Sequence, residues 1–89
     1  KLGIDNPNEK QYYKIFLNIC KSRGVKFNKH TFIYLLREYY FNVGRSLKAC
    51  HPRDLVDQMT DFANYRGVSP KMSVELMDLA ARSYFADLF

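Results

Sequence analysis

The chain has 89 residues and a net charge of +5, with 47% apolar and 16% aromatic residues. These values fit one globular domain with a single core and exclude an intrinsically disordered segment. No apolar run approaches the ~20 residues that a membrane-spanning helix needs, so we expect no membrane partner. Cys20 and Cys50 make no disulfide framework, so we expect a reducing compartment, the cytoplasm.

The first helix is predicted over residues about 8–23. Asn8 can cap it, and Gln11 lies three residues later, where its side chain can bond back to the cap. Gly24 is a typical residue just after a helix end. The apolar stripe consists of Tyr12, Phe16, Ile19 and Cys20.

The second helix is predicted over residues about 28–41, again with an asparagine cap, Asn28. Phe27 and Phe32 stand on either side of this cap at the spacing of a hydrophobic staple. Its buried face is predicted to consist of Phe32, Leu35, Leu36, Tyr39 and Tyr40.

Pro52 opens the third helix, predicted over residues about 52–66, because proline suits the first helical position. Gly67 is predicted to end this helix. In the linker before the helix, Leu47 is expected to anchor the chain to the core. The stripe consists of Leu55, Met59, Phe62 and Ala63.

The fourth helix is predicted over residues about 74–87, with Ser73 as its cap and Met72 and Met77 as a staple. Met77, Ala80, Ala81, Tyr84 and Leu88 share its buried face. No segment alternates with a period of two, so at most a stray bridge between residues 25–27 and 67–68 is expected. The fold class is therefore a compact all-α domain resembling a four-helix bundle.

Few residues suit catalysis or metal binding. The candidate metal ligands are Cys20, His30, Cys50 and His51, but Cys50 and His51 are adjacent and diverge, unlike the spaced pairs of zinc sites. Adjacency also argues against a nucleophile and its base. We expect free thiols, a small buried Cys50 and a surface or capping His51, and we predict no catalytic residue and no metal site. No Gly-x-x-x-x-Gly-Lys-Ser/Thr phosphate loop is present.

Arg53 is the remaining candidate. It lies in the first turn of the third helix, where free backbone N–H groups favour anions, and Arg45, Lys48 and His51 precede it. A guanidinium in this position can bind a phosphate with two donors. A structural salt bridge is an equally good explanation from the residues alone. Asp54 complements the helix dipole.

The stretch "HPRDLVDQMTDFANY", entered from a Gly-containing linker and set among four helices, resembles the C-terminal lid of an AAA+ ATPase. In that family the third lid helix opens with an arginine called sensor 2. Arg53, followed by Asp54 and Leu55, matches its position, and Pro52 precedes it as in several members. The small residue usually found just before is Ala49 or Cys50 here rather than glycine. The resemblance covers residues about 7–85 as a helix pattern.

The resemblance implies that Arg53 senses the γ-phosphate of ATP, with His51 and Pro52 beside the nucleotide. ATP and Mg²⁺ would be held by a preceding α/β domain, so residues 1–89 would be one lid domain of a longer protein and inactive alone. The chain begins with Lys rather than Met, which agrees with this expectation. The implied partners are the protein's own ATPase domain and neighbouring subunits of a homo-oligomer. Tyr39-Tyr40 or Tyr84-Phe85 would pack on those subunits or in the core.

Two other functions remain open. Residues 1–50 hold ten Lys and Arg against three acids, a balance of +7, whereas residues 51–89 hold four against six, a balance of −2. A basic helical module that binds nucleic acid is one alternative, although no helix has the composition of a recognition helix. A protein-interaction bundle is the other. The lid predicts a solvent-facing Arg53, whereas the interaction bundle allows Arg53 to be buried against Asp57 or another acid.

Overall fold

The computed structural model describes residues 7–86, which form four α-helices and confirm the predicted all-α class. Their bounds are Glu9–Arg23 for α1, Lys29–Leu36 for α2, His51–Arg66 for α3 and Val74–Ala86 for α4. Between residues 7 and 86 the extended structure is limited to one isolated parallel bridge. It joins Lys26 to Lys71 rather than to residues 67–68. Within the same range no helix is both long and apolar enough to cross a bilayer.

The predicted caps are confirmed. At the start of α1, the Gln11 N–H donates to Asn8 Oδ1 at 2.8 Å and the Asn8 N–H donates to Gln11 Oε1 at 2.9 Å, which completes a capping box. Asn28 and Ser73 accept in the same way from backbone N–H groups three residues later, at 3.0 and 3.2 Å. These bonds fix the starts of α1, α2 and α4 from residues that are close in sequence.

A π-helical turn, Arg37–Phe41, replaces the predicted last turn of the second helix. Its closing bond runs from the Asn42 N–H to the Arg37 carbonyl at 3.0 Å. The wider turn still directs Tyr40 into the core and leaves Tyr39 half-buried. The apolar pattern did not distinguish the two helix types, because both place these tyrosines on the inner side.

Helix α3 packs against both α4 and α1. Its stripe residues Leu55, Met59 and Ala63 are buried, and Phe62 is half-buried at the edge. Aromatic rings of α1 and α2 meet edge to face, as between Phe16 and Phe32. Leu47 packs against this core and anchors the linker, as predicted. Leu88 and position 87 lie outside the described residues.

Gly67 ends α3 in the left-handed conformation, with φ at 72°. An added Cβ would meet no atom within 4 Å, so the effect of a substitution comes from the backbone alone. Gly67→Ala is expected to lower the free energy of unfolding by about 1 kcal/mol, measured by urea denaturation. Gly67→Asn should lose less, because asparagine tolerates this conformation better. Equal stability of the alanine variant and the parent would contradict this explanation.

Candidate functional site

The first turn of α3 separates its side chains into buried and exposed ones. His51 is only 3% exposed and Pro52 is fully buried, whereas Cys50 is exposed. Arg53 projects to solvent, with 59% of its side chain accessible. The structure therefore brings Arg53 to the surface and buries the side chains of His51 and Pro52, which were predicted beside the nucleotide.

The burial of Cys50 and of His51 is the reverse of the prediction. Cys50, expected in the core, is exposed, and His51, expected as a cap or surface residue, is buried. The reason is that α3 begins at His51, so His51, Leu55 and Met59 follow one another at four-residue intervals on the inner stripe. Cys50, as the residue before the helix, makes no side-chain cap bond. The two side chains thus diverge.

The acids near Arg53 have other partners. Asp54 Oδ2 accepts the Tyr84 hydroxyl at 2.6 Å, and Asp57 Oδ1 accepts Arg23 Nε at 2.7 Å. The ion pair of Arg53 in residues 7–86 is a long one, 3.6 Å from its Nε to Asp54 Oδ1. An exposed pair between sequence neighbours at this distance contributes little. Most of the donor capacity of the Arg53 guanidinium therefore remains available.

Beneath the first turn runs a buried chain of hydrogen bonds that the sequence did not predict. Tyr12 Oη lies 2.5 Å from Tyr40 Oη, and Tyr40 Oη lies 2.9 Å from His51 Nδ1. Tyr12 and Tyr40 were expected as core residues and are buried, as is His51. This chain of hydrogen bonds links α1, the π-helical turn and the start of α3. It therefore fixes the end of α3 that carries Arg53 to the rest of the core.

The protonation states of the three residues in this hydrogen-bonded chain follow from burial. Burial lowers the pKa of His51, with smaller contributions from Lys48 and Arg45, and raises the pKa of both Tyr12 and Tyr40. When the proton of neutral His51 is on Nε2, Nδ1 accepts from the Tyr40 hydroxyl, which in turn accepts from Tyr12. A proton on Nδ1 would reverse both bonds. The Tyr12 hydroxyl, which has no other partner within residues 7–86, would then have no acceptor.

The linker before α3 is held by Arg45. Its Nη1 donates to the Tyr39 carbonyl at 2.9 Å, and its guanidinium carbon lies 4.0 Å from the centre of the Phe85 ring. The Arg45 N–H also donates to the Tyr40 carbonyl at 2.9 Å. This cation–π contact and these bonds fix the approach to the first turn of α3. Arg45 thus stabilises the linker rather than standing free beside Arg53.

Both aromatic pairs considered for subunit packing belong largely to the domain itself. Tyr40 and Phe85 are buried. Tyr39 and Tyr84 are half-buried, and their hydroxyls donate to Asp78 Oδ1 at 2.8 Å and to Asp54 Oδ2 at 2.6 Å. Adjacent residues of a helix point in different directions, so one aromatic of each pair is expected in the core and the other at its edge. Neither pair presents a free aromatic surface.

The candidate metal ligands do not converge. Among residues 7–86, no three His, Cys, Asp or Glu side chains are grouped closely enough to hold an ion. Cys20 is buried with its Sγ 3.7 Å from Met72 Sδ, and burial raises the pKa of its thiol to about 11. It behaves as a small core residue.

A family model described as Domain of unknown function (DUF8689) matches residues 8–83. The chain belongs to this family. The matched range begins at the capping residue of α1 and ends within α4, so it covers α1, α2, the whole of α3 with its first turn, and most of α4. No curated protein and no solved structure matches the chain.

Proposed function

We propose that this DUF8689 domain is the C-terminal helical lid of an AAA+ ATPase, in which Arg53 contacts the γ-phosphate of ATP. The nucleotide and its Mg²⁺ would be bound by an α/β domain that precedes the lid in a cytoplasmic, oligomeric protein. The observation that carries the proposal is the exposed guanidinium of Arg53 in the first turn of α3, beside acids that have other partners.

The surroundings of Arg53 fit an anionic group. A guanidinium binds phosphate oxygens with two parallel N–H donors, which a lysine cannot do. The start of a helix adds a partial positive charge, although the His51 N–H donates to the Lys48 carbonyl at 3.2 Å and Pro52 has no N–H.

The base of Arg53 is rigid. Pro52 and His51 are buried directly before it, and Asp54 directly after it is tied to Tyr84 of α4. A displacement of the Arg53 guanidinium would therefore move α3 and α4, because no flexible loop lies between the guanidinium and either helix. Such a lid responds to nucleotide state only if ATP and ADP contact Arg53 differently, and loss of the γ-phosphate provides that difference.

The test uses the full-length protein. Arg53→Ala is expected to lower the rate of ATP hydrolysis or nucleotide-dependent assembly about tenfold, the loss of one charge-assisted contact. Arg53→Lys should restore only part of it, because the paired donors are lost. The matched control is Arg66→Ala at the other end of α3, where Arg66 pairs with Glu75. Thermal unfolding should be nearly unchanged in all three variants.

Normal turnover and assembly in the Arg53→Ala variant would overturn the sensor role. A full-length protein that neither binds nor hydrolyses ATP would overturn the lid assignment as a whole. The control also matters: equal losses from Arg53→Ala and Arg66→Ala would indicate a general effect of surface charge rather than contact with a phosphate.

A further inference from the structure

A shallow apolar trough, called here the α1–α2 trough, lies on the side of the domain formed by the first two helices. It consists of a hollow of about 530 Å³ over Tyr13, Phe32 and Ile33 and a second of about 280 Å³ over Leu17 and Phe27. The Tyr13 ring, which lines the first hollow, lies 5.3 Å centre to centre from the Phe27 ring, which lines the second, so the two hollows are neighbours. Ile33 and Leu17 remain 44% and 37% exposed, so the floor is apolar and accessible.

Lysines border this trough. Lys10 and Lys29 line the larger hollow and Lys21 lines the smaller, against one lining acid, Glu9. Within residues 7–86 none of the three lysines pairs with a carboxylate. From Lys10 to Lys21 the trough follows α1 for about 16 Å at the rise of an α-helix, the length of three helical turns. An apolar floor with cationic borders is complementary to a segment with apolar and acidic faces.

The floor suits a peptide better than a nucleic acid. Base stacking needs an exposed aromatic face, but the rings here pack edge to face on one another: Tyr13 on Phe27 at 89° and Tyr13 on Phe32 at 76°. The most exposed apolar side chains are the aliphatic Ile33 and Leu17, which have no ring on which a base could stack, whereas Tyr13 and Phe27 are partly buried. These two aliphatic side chains can pack against Leu, Ile or Met side chains of a bound helix.

We propose that the α1–α2 trough binds a short acidic amphipathic segment of a partner protein. Apolar side chains of that segment, spaced along one helix face, would lie over Ile33 and Leu17, and flanking Asp or Glu would pair with Lys10, Lys29 and Lys21. None of these residues belongs to the first turn of α3. The surface is therefore independent of Arg53 and of the proposed role in nucleotide sensing.

The test selects binders from a phage-displayed library of random dodecapeptides against the 89-residue chain. Selected peptides are expected to combine apolar residues at helical spacing with an excess of Asp and Glu. Their Kd, measured by fluorescence polarisation, should rise at least tenfold in Ile33→Glu and in the double variant Lys10→Glu/Lys29→Glu. The matched control is Val74→Glu, at an apolar residue of similar exposure on α4, which should leave Kd unchanged.

Several outcomes would overturn the proposal. They are the absence of enriched peptides, enrichment of peptides without acids, or binding that Ile33→Glu leaves intact. A fluorescent single-stranded oligonucleotide is titrated in parallel. Binding of the oligonucleotide that is lost in the lysine variant but kept in Ile33→Glu would assign this surface to phosphate and refute the peptide site. If Ile33→Glu does not fold, as judged by circular dichroism, Leu17→Glu replaces it in every comparison.

Discussion

Replacing Tyr40 with phenylalanine is expected to lower the free energy of unfolding by about 2–6 kcal/mol. The Tyr40 hydroxyl is the middle member of the buried chain, 2.5 Å from Tyr12 Oη and 2.9 Å from His51 Nδ1. Its removal deprives both neighbours of this partner in a region closed to water, and each orphaned group costs about 1–3 kcal/mol. Chemical denaturation of the parent and the variant measures the difference.

Three variants separate the hydrogen-bonded chain from a general effect of tyrosine removal. Tyr12→Phe removes the end of the chain and should cost only about 1 kcal/mol, because Tyr40 can still donate to His51. The double variant Tyr12→Phe/Tyr40→Phe should lose less than the sum of the single changes, since one orphaned group disappears. Tyr34→Phe should cost less than about 0.5 kcal/mol, because Asp78 still accepts from Tyr39. A Tyr40→Phe variant as stable as Tyr34→Phe would contradict the role of the chain.

The fold was largely predictable because its helix boundaries depend on neighbours in sequence. Asn8, Asn28 and Ser73 each accept from the backbone three residues later, and Gly67 ends α3 in the left-handed conformation. Such signals are read without any tertiary information. The π-helical turn 37–41 was not predicted, since its residues have the same apolar pattern as an α-helix and only the packed structure distinguishes them.

The site was predictable where it depends on helix periodicity and unpredictable where it depends on contacts distant in sequence. Arg53 lies off the stripe of Leu55 and Met59, and it is exposed. The same period, extended back by four residues from Leu55, would have placed His51 in the core, but the proline at the next position suggested a later helix start. The contacts of His51 with Tyr40 and of Tyr40 with Tyr12 span 11 and 28 positions, and no local pattern indicates them.

Acidification from about pH 7.5 to about 5.5 is expected to destabilise the domain through His51. Burial holds the pKa of His51 below its ordinary value of 6.5, assisted by Lys48 and Arg45 and opposed by Asp54. Below about pH 6.5 the unfolded chain therefore binds a proton that the folded chain does not. This contribution to stability is complete above that pH and is lost as the pH falls towards the folded pKa, by at most about 1.4 kcal/mol per pH unit.

The residue responsible is identified by His51→Asn, whose amide oxygen can accept from Tyr40 in place of Nδ1 and does not titrate. This variant is expected to be less stable than the parent at about pH 7.5, yet its unfolding midpoint in denaturant should change little down to about pH 5.5, above the range in which most carboxylates titrate. Exposed His30 is present in both proteins and cancels from the comparison. A pH dependence that persists undiminished in His51→Asn would place the titrating group elsewhere. A dependence that disappears would show that the buried chain requires neutral His51, because a proton on Nδ1 leaves the Tyr12 hydroxyl without an acceptor in the core.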